Sequence, residues 1–274
     1  MSTSVVIVTH NSSSYLRCCL ERLHAQTSPV KTVTVVDSGS SVHHVELTKT
    51  LCAQHSAEFI ALDNVGYGVA NNEGYRRSSS SDFVLFLNPD TFLNATFIET
   101  AEPWMRSHPT CGIASGPLLG YDVASQRPTG LLDSTGIFRK WYGRWFDRDR
   151  HRPDTAIATL REEKVPAICG ALMFCRTDTL EELSTAEGHV FDPGFFLYYE
   201  DIDLSLRIVG LGHELVIVPD LWAYHCRGWS NRKQMPRFQR LAAAKSAVRL
   251  ERKLHSRYLW FAWLKLRAVQ TFDA

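Results

Sequence analysis

Along the first 90 residues, apolar positions fall into short β-branched runs separated by stretches whose apolar residues recur every three or four positions. The run "SVVIV" (Ser4–Val8) predicts a buried parallel strand. A serine-rich segment suited to a helix N-cap follows, then Leu16, Cys19/Leu20 and Leu23 at helical spacing. "VTVVDSGS" (Val33–Ser40) predicts a second strand ending in an acid and a turn, and "EFIAL" (Glu58–Leu62) a third. "YGVANNEGYRRS" (Tyr67–Ser78) suits a short helix, and "FVLFLNPD" (Phe83–Asp90) a fourth strand that again ends in an acid. Strand, helix, strand, repeated in this way, predicts an α/β fold whose central sheet is mostly parallel and flanked by helices.

The pattern loosens further on. "RKWYGRWFDRDRHR" (Arg139–Arg152) is basic and aromatic and reads as a long loop. "AICGALMFCR" (Ala167–Arg176) predicts a buried strand with a glycine for close approach, and "HELVIVP" (His213–Pro219) another strand. "WAYHCRGWSNR" (Trp222–Arg232) reads as a polar, aromatic loop. Beyond Pro236, Ala247, Leu250, Leu254, Tyr258, Phe261 and Leu264 step by three or four, one stripe of an amphipathic helical extension. The chain thus divides into a body, 1–231, and a basic helical tail, 232–274.

Charge sharpens that division. From Arg232 onward the chain carries 11 Lys+Arg against 2 Asp+Glu, or +9, whereas the first 231 residues carry 19 against 27, or −8. Basic residues and Tyr258, Trp260, Phe261 and Trp263 together suit a helix lying on an anionic membrane surface; packing on the body or on a second subunit, as in a homodimer, is the other reading. No nucleic-acid motif accompanies the tail. No stretch approaches the roughly 18 apolar residues of a membrane span, and the N-terminal segment lacks the pattern of a signal peptide. Seven cysteines without a CxxC pair suit reduced thiols of a cytoplasmic protein.

In α/β folds ligands bind at the carboxyl ends of strands, and here those ends are polar: Thr9, His10 and Asn11; Asp37; Asn64 and Gly66; Asn88, Pro89 and Asp90. Neither GxGxxG nor GxxxxGK[ST] is present, which argues against a dinucleotide site and a P-loop. In "FFLYYEDIDLSLR" (Phe195–Arg207) an aromatic run delivers Glu200, Asp201 and Asp203. One of them can cap a helix Ile202–Val209, with Asp203 in its first turn and Arg207 one turn on. A cap alone does not explain why apolar residues carry carboxylates, whose unpaired burial costs several kcal/mol.

Taken in order, "VVIVTHN", "VVDSGS", "NVGYGVANNEG", "LNPDT", "ICGALMF", "GFFLYYEDIDLSLR" and the His of "YHCRGWS" resemble the bacterial inverting glycosyltransferase family 2, especially its rhamnosyltransferase-like members. The resemblance spans about Ser4 to Ser230. It implies a GT-A-type nucleotide-sugar fold, a divalent metal (Mg²⁺ or Mn²⁺) and inversion at the anomeric carbon. It places Thr9, Asn11 and Asp37 on the nucleotide, and Asn64, Gly66 and Asn71 in a loop beneath nucleotide and donor sugar. Read alone, Thr9 and Asn11 also fit a helix cap and Asp37 a turn. Asn88 and Asp90 stand where many relatives carry Asp-x-Asp, with Asp90 as one metal ligand and His225 as the second.

By the same resemblance Asp201 is the general base and Glu200 orients it or the acceptor, whereas Asp203 braces structure. The resulting expectation is a metal-dependent transferase at the inner face of the membrane. It would move sugar from dTDP-rhamnose or a UDP-sugar to a growing, lipid-linked bacterial surface glycan such as O-antigen. The alternatives are a catalytically inactive glycan- or lipid-binding module and a nucleotide-sugar-forming nucleotidyltransferase. The latter needs a phosphate loop that "THNSSS" lacks.

Overall fold

The structure, a computed structural model, describes residues 1–78, 80–227 and 235–272, with the side chain of residue 272 left aside. The expected division between residues 231 and 232 lies outside the described residues.

The regular first half runs β1 (Thr3–Thr9), α1 (Ser13–His24), β2 (Thr32–Ser38), α2 (Val42–Gln54), β3 (Glu58–Leu62), α3 (Tyr67–Arg76) and β4 (Phe83–Leu87). Every residue of β1 is buried, as a strand covered on both faces requires. Its parallel partners are β2 and β4, and β3 pairs in parallel with β2. Leu16, Cys19, Leu20 and Leu23 of α1 turn onto the sheet, as their spacing predicts.

The second half adds β5 (Thr91–Leu93), α4 (Phe97–Ser107), β6 (Cys111–Ser115), β7 (Leu118–Asp122), β8 (Arg127–Ser134), β9 (Ile137–Arg139), β10 (Trp145–Asp147) and β11 (Glu163–Lys164). Then come β12 (Leu172–Arg176), α5 (Thr177–Leu183), α6 (Glu200–Gly210), β13 (Glu214–Ile217), β14 (Ala223–His225), α7 (Arg237–Lys253) and α8 (Leu259–Phe272). The main sheet has the order β11-β13-β6-β12-β4-β1-β2-β3. In it β12 runs antiparallel between β4 and β6, and β13 pairs in parallel with β6. A second sheet, β5-β14-β7-β8, stands beside its carboxyl edge.

Four local expectations change. Arg139–Arg152 is no bare loop: β9 and β10 form a hairpin, with Trp145 opposite Arg139 and the Arg139 guanidinium 5.3 Å from the indole. Only Leu172–Arg176 of the expected strand 167–176 is extended, because Cys169 and Gly170 bend away to meet α6. Trp222–Arg232, expected as a loop, contains β14, held between β5 and β7. The stripe from Ala247 to Leu264 is divided, since the chain turns at His255 (φ 46°). That turn resets the helical phase, so α8 buries Ala262 and Leu266 and leaves Phe261 and Leu264 exposed. Among the described residues, no helix is long and apolar enough to cross a membrane.

Candidate active site

The carboxyl ends of β1, β2 and β3 form a first polar ledge. Asp37 is 1% exposed; its Oδ1 accepts the Ser40 N–H at 2.9 Å, and its Oδ2 has no partner among the described residues. The Thr9 hydroxyl is likewise buried and unpartnered. Buried polar atoms are normally satisfied, so the two mark a place where a polar ligand can complete the bonding. Asn11 (φ 52°) receives the Ser41 N–H on Oδ1 at 2.9 Å and so ties the β1 end to the β2 end. Asn64 is exposed at the same edge, its backbone packed against Gly39. Gly66 (φ 83°) serves a protein contact: a Cβ there would lie 2.2 Å from the Phe196 carbonyl oxygen. Asn71 is buried and donates to the Tyr67 carbonyl at 3.0 Å.

A cleft of about 770 Å³ opens beside this ledge, lined by Asn88, Asp90, Glu200, Asp201 and His225 among the expected residues. Thr9, Asn11, Asp37, Asn64, Gly66 and Asn71 lie outside that lining. Asp90 follows β4, and His225 ends β14; their facing atoms, Oδ1 and Nε2, are 3.5 Å apart. The Asn88 Oδ1 is buried without a partner among the described residues. On its other side the His225 ring meets Asp133 Oδ2 from Nδ1 at 2.8 Å. Burial disfavours imidazolium, but Asp90 and the bond to Asp133 outweigh it and push His225 up to about 9. Asp133 is itself buried, yet His225 and Arg227 hold its carboxyl far below the usual range. Among the described residues no three His, Cys, Asp or Glu side chains converge as a metal cage. Once the Nε2 proton of His225 is displaced, Asp90 and His225 fit a divalent cation that takes its remaining oxygens from substrate phosphates and water.

At the other wall stand the acids of α6. The helix begins at Glu200, directly after Tyr198 (φ 68°) and Tyr199 (φ 71°), two consecutive non-glycine residues in left-handed backbone. Each such residue is strained by about 1–2 kcal/mol and persists only where packing holds it. The hold is visible. Tyr67 N–H donates to the Phe196 carbonyl at 3.0 Å, and Ser246 of α7 donates to the Leu197 carbonyl at 2.9 Å. Asn72 binds the backbone of Val190 and Phe191, while Arg249 and Lys253 of α7 reach Asp192 at 2.7 and 2.8 Å. Leu250 of α7 packs with Phe195 and Ile202. The tail's first helix is therefore built into the segment that delivers the acids.

Asp201 is no helix cap. Its Oδ2 accepts the Gly170 N–H at 2.9 Å and its Oδ1 the Ile202 N–H at 2.8 Å. Burial raises its carboxyl and the two N–H groups offset this only in part, leaving it at about 6. Glu200 is 6% exposed, its Oε2 has no partner among the described residues, and burial followed by the Asp201 charge pushes it well above the usual range. The arrangement favours loss of the Asp201 proton before that of Glu200. Asp203 faces away from this chemistry, buried against Arg207 at 2.8 Å and against Lys253.

Sequence reasoning missed Asp133, Asp147 and Arg227, which link the two walls. Arg227 contacts Asp133 at 2.6 Å from Nε and Asp147 at 2.6 Å from its terminal nitrogen. Asp133 sits on β8 and Asp147 on β10, in a stretch without a repeating period, so only the fold brings Asp147 to the cleft and Asp133 behind His225.

A family model described as "Glycosyl transferase family 2" matches residues 4–183. Rhamnosyltransferase WbbL of Escherichia coli (strain K12) is 27% identical over 242 residues, 83% of this chain and 84% of that protein. Among solved structures, GalNAc-T7 with UDP, GalNAc and Mn²⁺ superposes with a TM-score of 0.72 at 15% identity over 93% of this chain. This chain spans 48% of that one, about half its length. Mannosyltransferase PcManGT from Pyrobaculum calidifontis, in complex with GDP-Man and Mn²⁺, gives a TM-score of 0.60 at 16% identity, covering 97% of this chain and 73% of its own. At these identities the structural matches establish the GT-A fold.

Proposed function

Since the chain belongs to glycosyltransferase family 2, we propose that it is a metal-dependent inverting transferase whose base is Asp201. The observation that carries this reading is the shared cleft. A carboxylate at about 6, held at both oxygens by backbone N–H groups, faces the same space as the Asp90–His225 pair. Each Asp201 oxygen keeps a second lone pair for a proton. The acceptor hydroxyl gives its proton to Asp201 as its oxygen bonds to the anomeric carbon. The bond from that carbon to the nucleotide diphosphate breaks on the opposite side, and the diphosphate departs with the electron pair. No covalent enzyme intermediate is needed.

Asp90 and His225 would hold Mg²⁺ or Mn²⁺, whose charge neutralises the leaving diphosphate. The Mn²⁺ in the GalNAc-T7 and PcManGT complexes supports this assignment. Asp37 and Thr9, with buried unpartnered oxygens, receive the nucleotide base and ribose, flanked by Asn11 and Asn64. The relative named a rhamnosyltransferase supports dTDP-rhamnose as donor, with a UDP-sugar as the second choice. The acceptor is a growing, lipid-linked surface glycan met at the membrane. Supporting this, α8 exposes Trp260, Phe261, Trp263 and Leu264, and its span Leu259–Phe272 contains basic residues but no acid.

A screen of nucleotide-sugars for thermal stabilisation, with and without Mn²⁺, tests the donor site through mass action. Stabilisation by one donor only in the presence of metal, followed by sugar transfer, is the expected result. Equal stabilisation after repeated desalting in EDTA would overturn the metal assignment.

A further inference from the structure

The sequence reading confined membrane contact to the tail, but the exposed aromatic surface does not stop there. At the tip of the β9–β10 hairpin Trp141 is 84% exposed, and Tyr142 beside it is 41% exposed. Their rings meet edge to face at 5.4 Å, so the tip presents a preformed aromatic pair. It is fastened to the α7–α8 junction. The Tyr258 hydroxyl donates to the Trp141 carbonyl, and Gly143 (φ 93°) lies flat on the Tyr258 ring, where a Cβ would come within 2.5 Å. Arg139 at the hairpin base donates to buried Glu251 of α7 at 2.6 Å and to Ser256 at 3.1 Å, and stacks 5.0 Å from the Tyr258 ring. Elements more than a hundred residues apart are thus locked together.

Its chemistry points to one occupant. Trp, Tyr and Phe sit beside exposed Lys140, Arg144, Arg252, Arg257 and Arg267. Aromatic rings amid cations suit the headgroup layer of an anionic bilayer, where rings find apolar depth and cations find lipid phosphate. The inner side of the same hairpin, through Arg144, Trp145, Phe146 and Asp147, lines the cleft that holds Asp201.

We propose that the Trp141–Tyr142 tip and α8 form a single bilayer-docking surface, which sets the hairpin side of the cleft at the membrane so that a lipid-linked hydroxyl reaches Asp201. This rests on the membrane reading above and adds to it a second, non-helical anchor.

The full-length chain and its Trp141→Ala and Trp260→Ala variants are tested by flotation with vesicles of 70% phosphatidylcholine and 30% phosphatidylglycerol. Brominated lipid reports tryptophan depth through quenching. Metal-dependent stabilisation by nucleotide diphosphate checks that each variant is folded. Loss of either tryptophan should weaken partitioning about tenfold, and Trp141→Ala should remove part of the quenching. Three results each overturn the proposal, and they differ. Wild-type binding that Trp141→Ala leaves unchanged removes the hairpin but keeps α8. Absence of wild-type binding removes the membrane reading altogether. A wild-type dimer that Trp141→Ala converts to monomer assigns the surface to a second copy of the chain.

Discussion

Replacing Asp201 by Asn should inactivate the protein and stabilise it, in a pH-dependent way. The carboxyl moves from an ordinary 3.8 to about 6 on folding. That gap corresponds to ~3 kcal/mol of penalty on the ionised form. Between those values the folded chain keeps a proton that the unfolded chain has lost. Wild-type stability therefore falls as pH rises through this window, and the full penalty is present above about pH 7. The Asn side chain carries no charge and escapes the penalty. Its amide accepts from only one of the Gly170 and Ile202 N–H groups, a loss of ~1 kcal/mol. The net is a gain of ~2 kcal/mol at pH 8, roughly 3–4 °C in Tm for a chain of this size. At pH 4 the gain disappears and the lost hydrogen bond remains. Turnover should drop ~10²–10⁴-fold for want of a proton acceptor, with donor affinity intact. Calorimetric melting at pH 4, 6 and 8, together with donor titration and turnover, reads all three quantities. Near-wild-type turnover would refute the base assignment. A stability difference that does not change with pH would refute the burial argument.

Other expectations follow from the same geometry. Asp90→Ala should fold normally but lose turnover and the divalent-dependent thermal shift caused by nucleotide diphosphate, and EDTA should reproduce the effect in wild type; retention of that shift would exclude Asp90 as a ligand. Asp133→Asn should weaken divalent affinity measured by titration calorimetry, since Asp133 orients His225 and meets Arg227; unchanged affinity would make it a packing residue only. Asp203→Asn should cost about 2 kcal/mol, because it strips a buried acceptor from Arg207 and Lys253, while turnover at a permissive temperature persists. Deleting residues beyond 231 should abolish turnover even on a soluble acceptor, because α7 grips Asp192 and the Leu197 carbonyl; an active truncated chain would show that the acids hold their place without it.

Much of the architecture was legible in the chain. Ser4–Val8, Val33–Ser40, Glu58–Leu62 and Phe83–Asp90 declare themselves because strands buried on both faces must be apolar throughout. A strand that turns polar at its carboxyl end marks where ligands meet an α/β sheet, so Asp37, Asn88 and Asp90 could be picked out by position. The spacing of Asp203 and Arg207 announced their ion pair. By contrast, nothing was assigned between Asp90 and Arg139, although α4 there buries Phe97, Ile98, Ala101 and Met105 at helical spacing; only β7 and β8, part buried and part exposed, carry no sustained period.

Asp133 on β8 meets His225 only when β7 brings β8 and β14 into one sheet, and Asp147 on β10 meets Arg227 only when the hairpin folds against the end of β14. The same holds for the acids that follow the aromatic run. Composition placed Glu200 and Asp201 beside apolar residues, but their difference in environment is tertiary. Asp201 is satisfied by N–H groups from Gly170 and Ile202, whereas Glu200 keeps an unpartnered buried oxygen. Periodicity along the tail found helical residues yet misread their faces, since a single left-handed residue at His255 resets the phase and local spacing contains no trace of it. The chain by itself determined which segments must be buried and which ends must be polar, because burial and hydrogen bonding act on each segment alone. Which carboxylates share a cleft, which one keeps its proton, and which aromatic rings meet outside the core depend on contacts between distant segments, and those exist only in the folded chain.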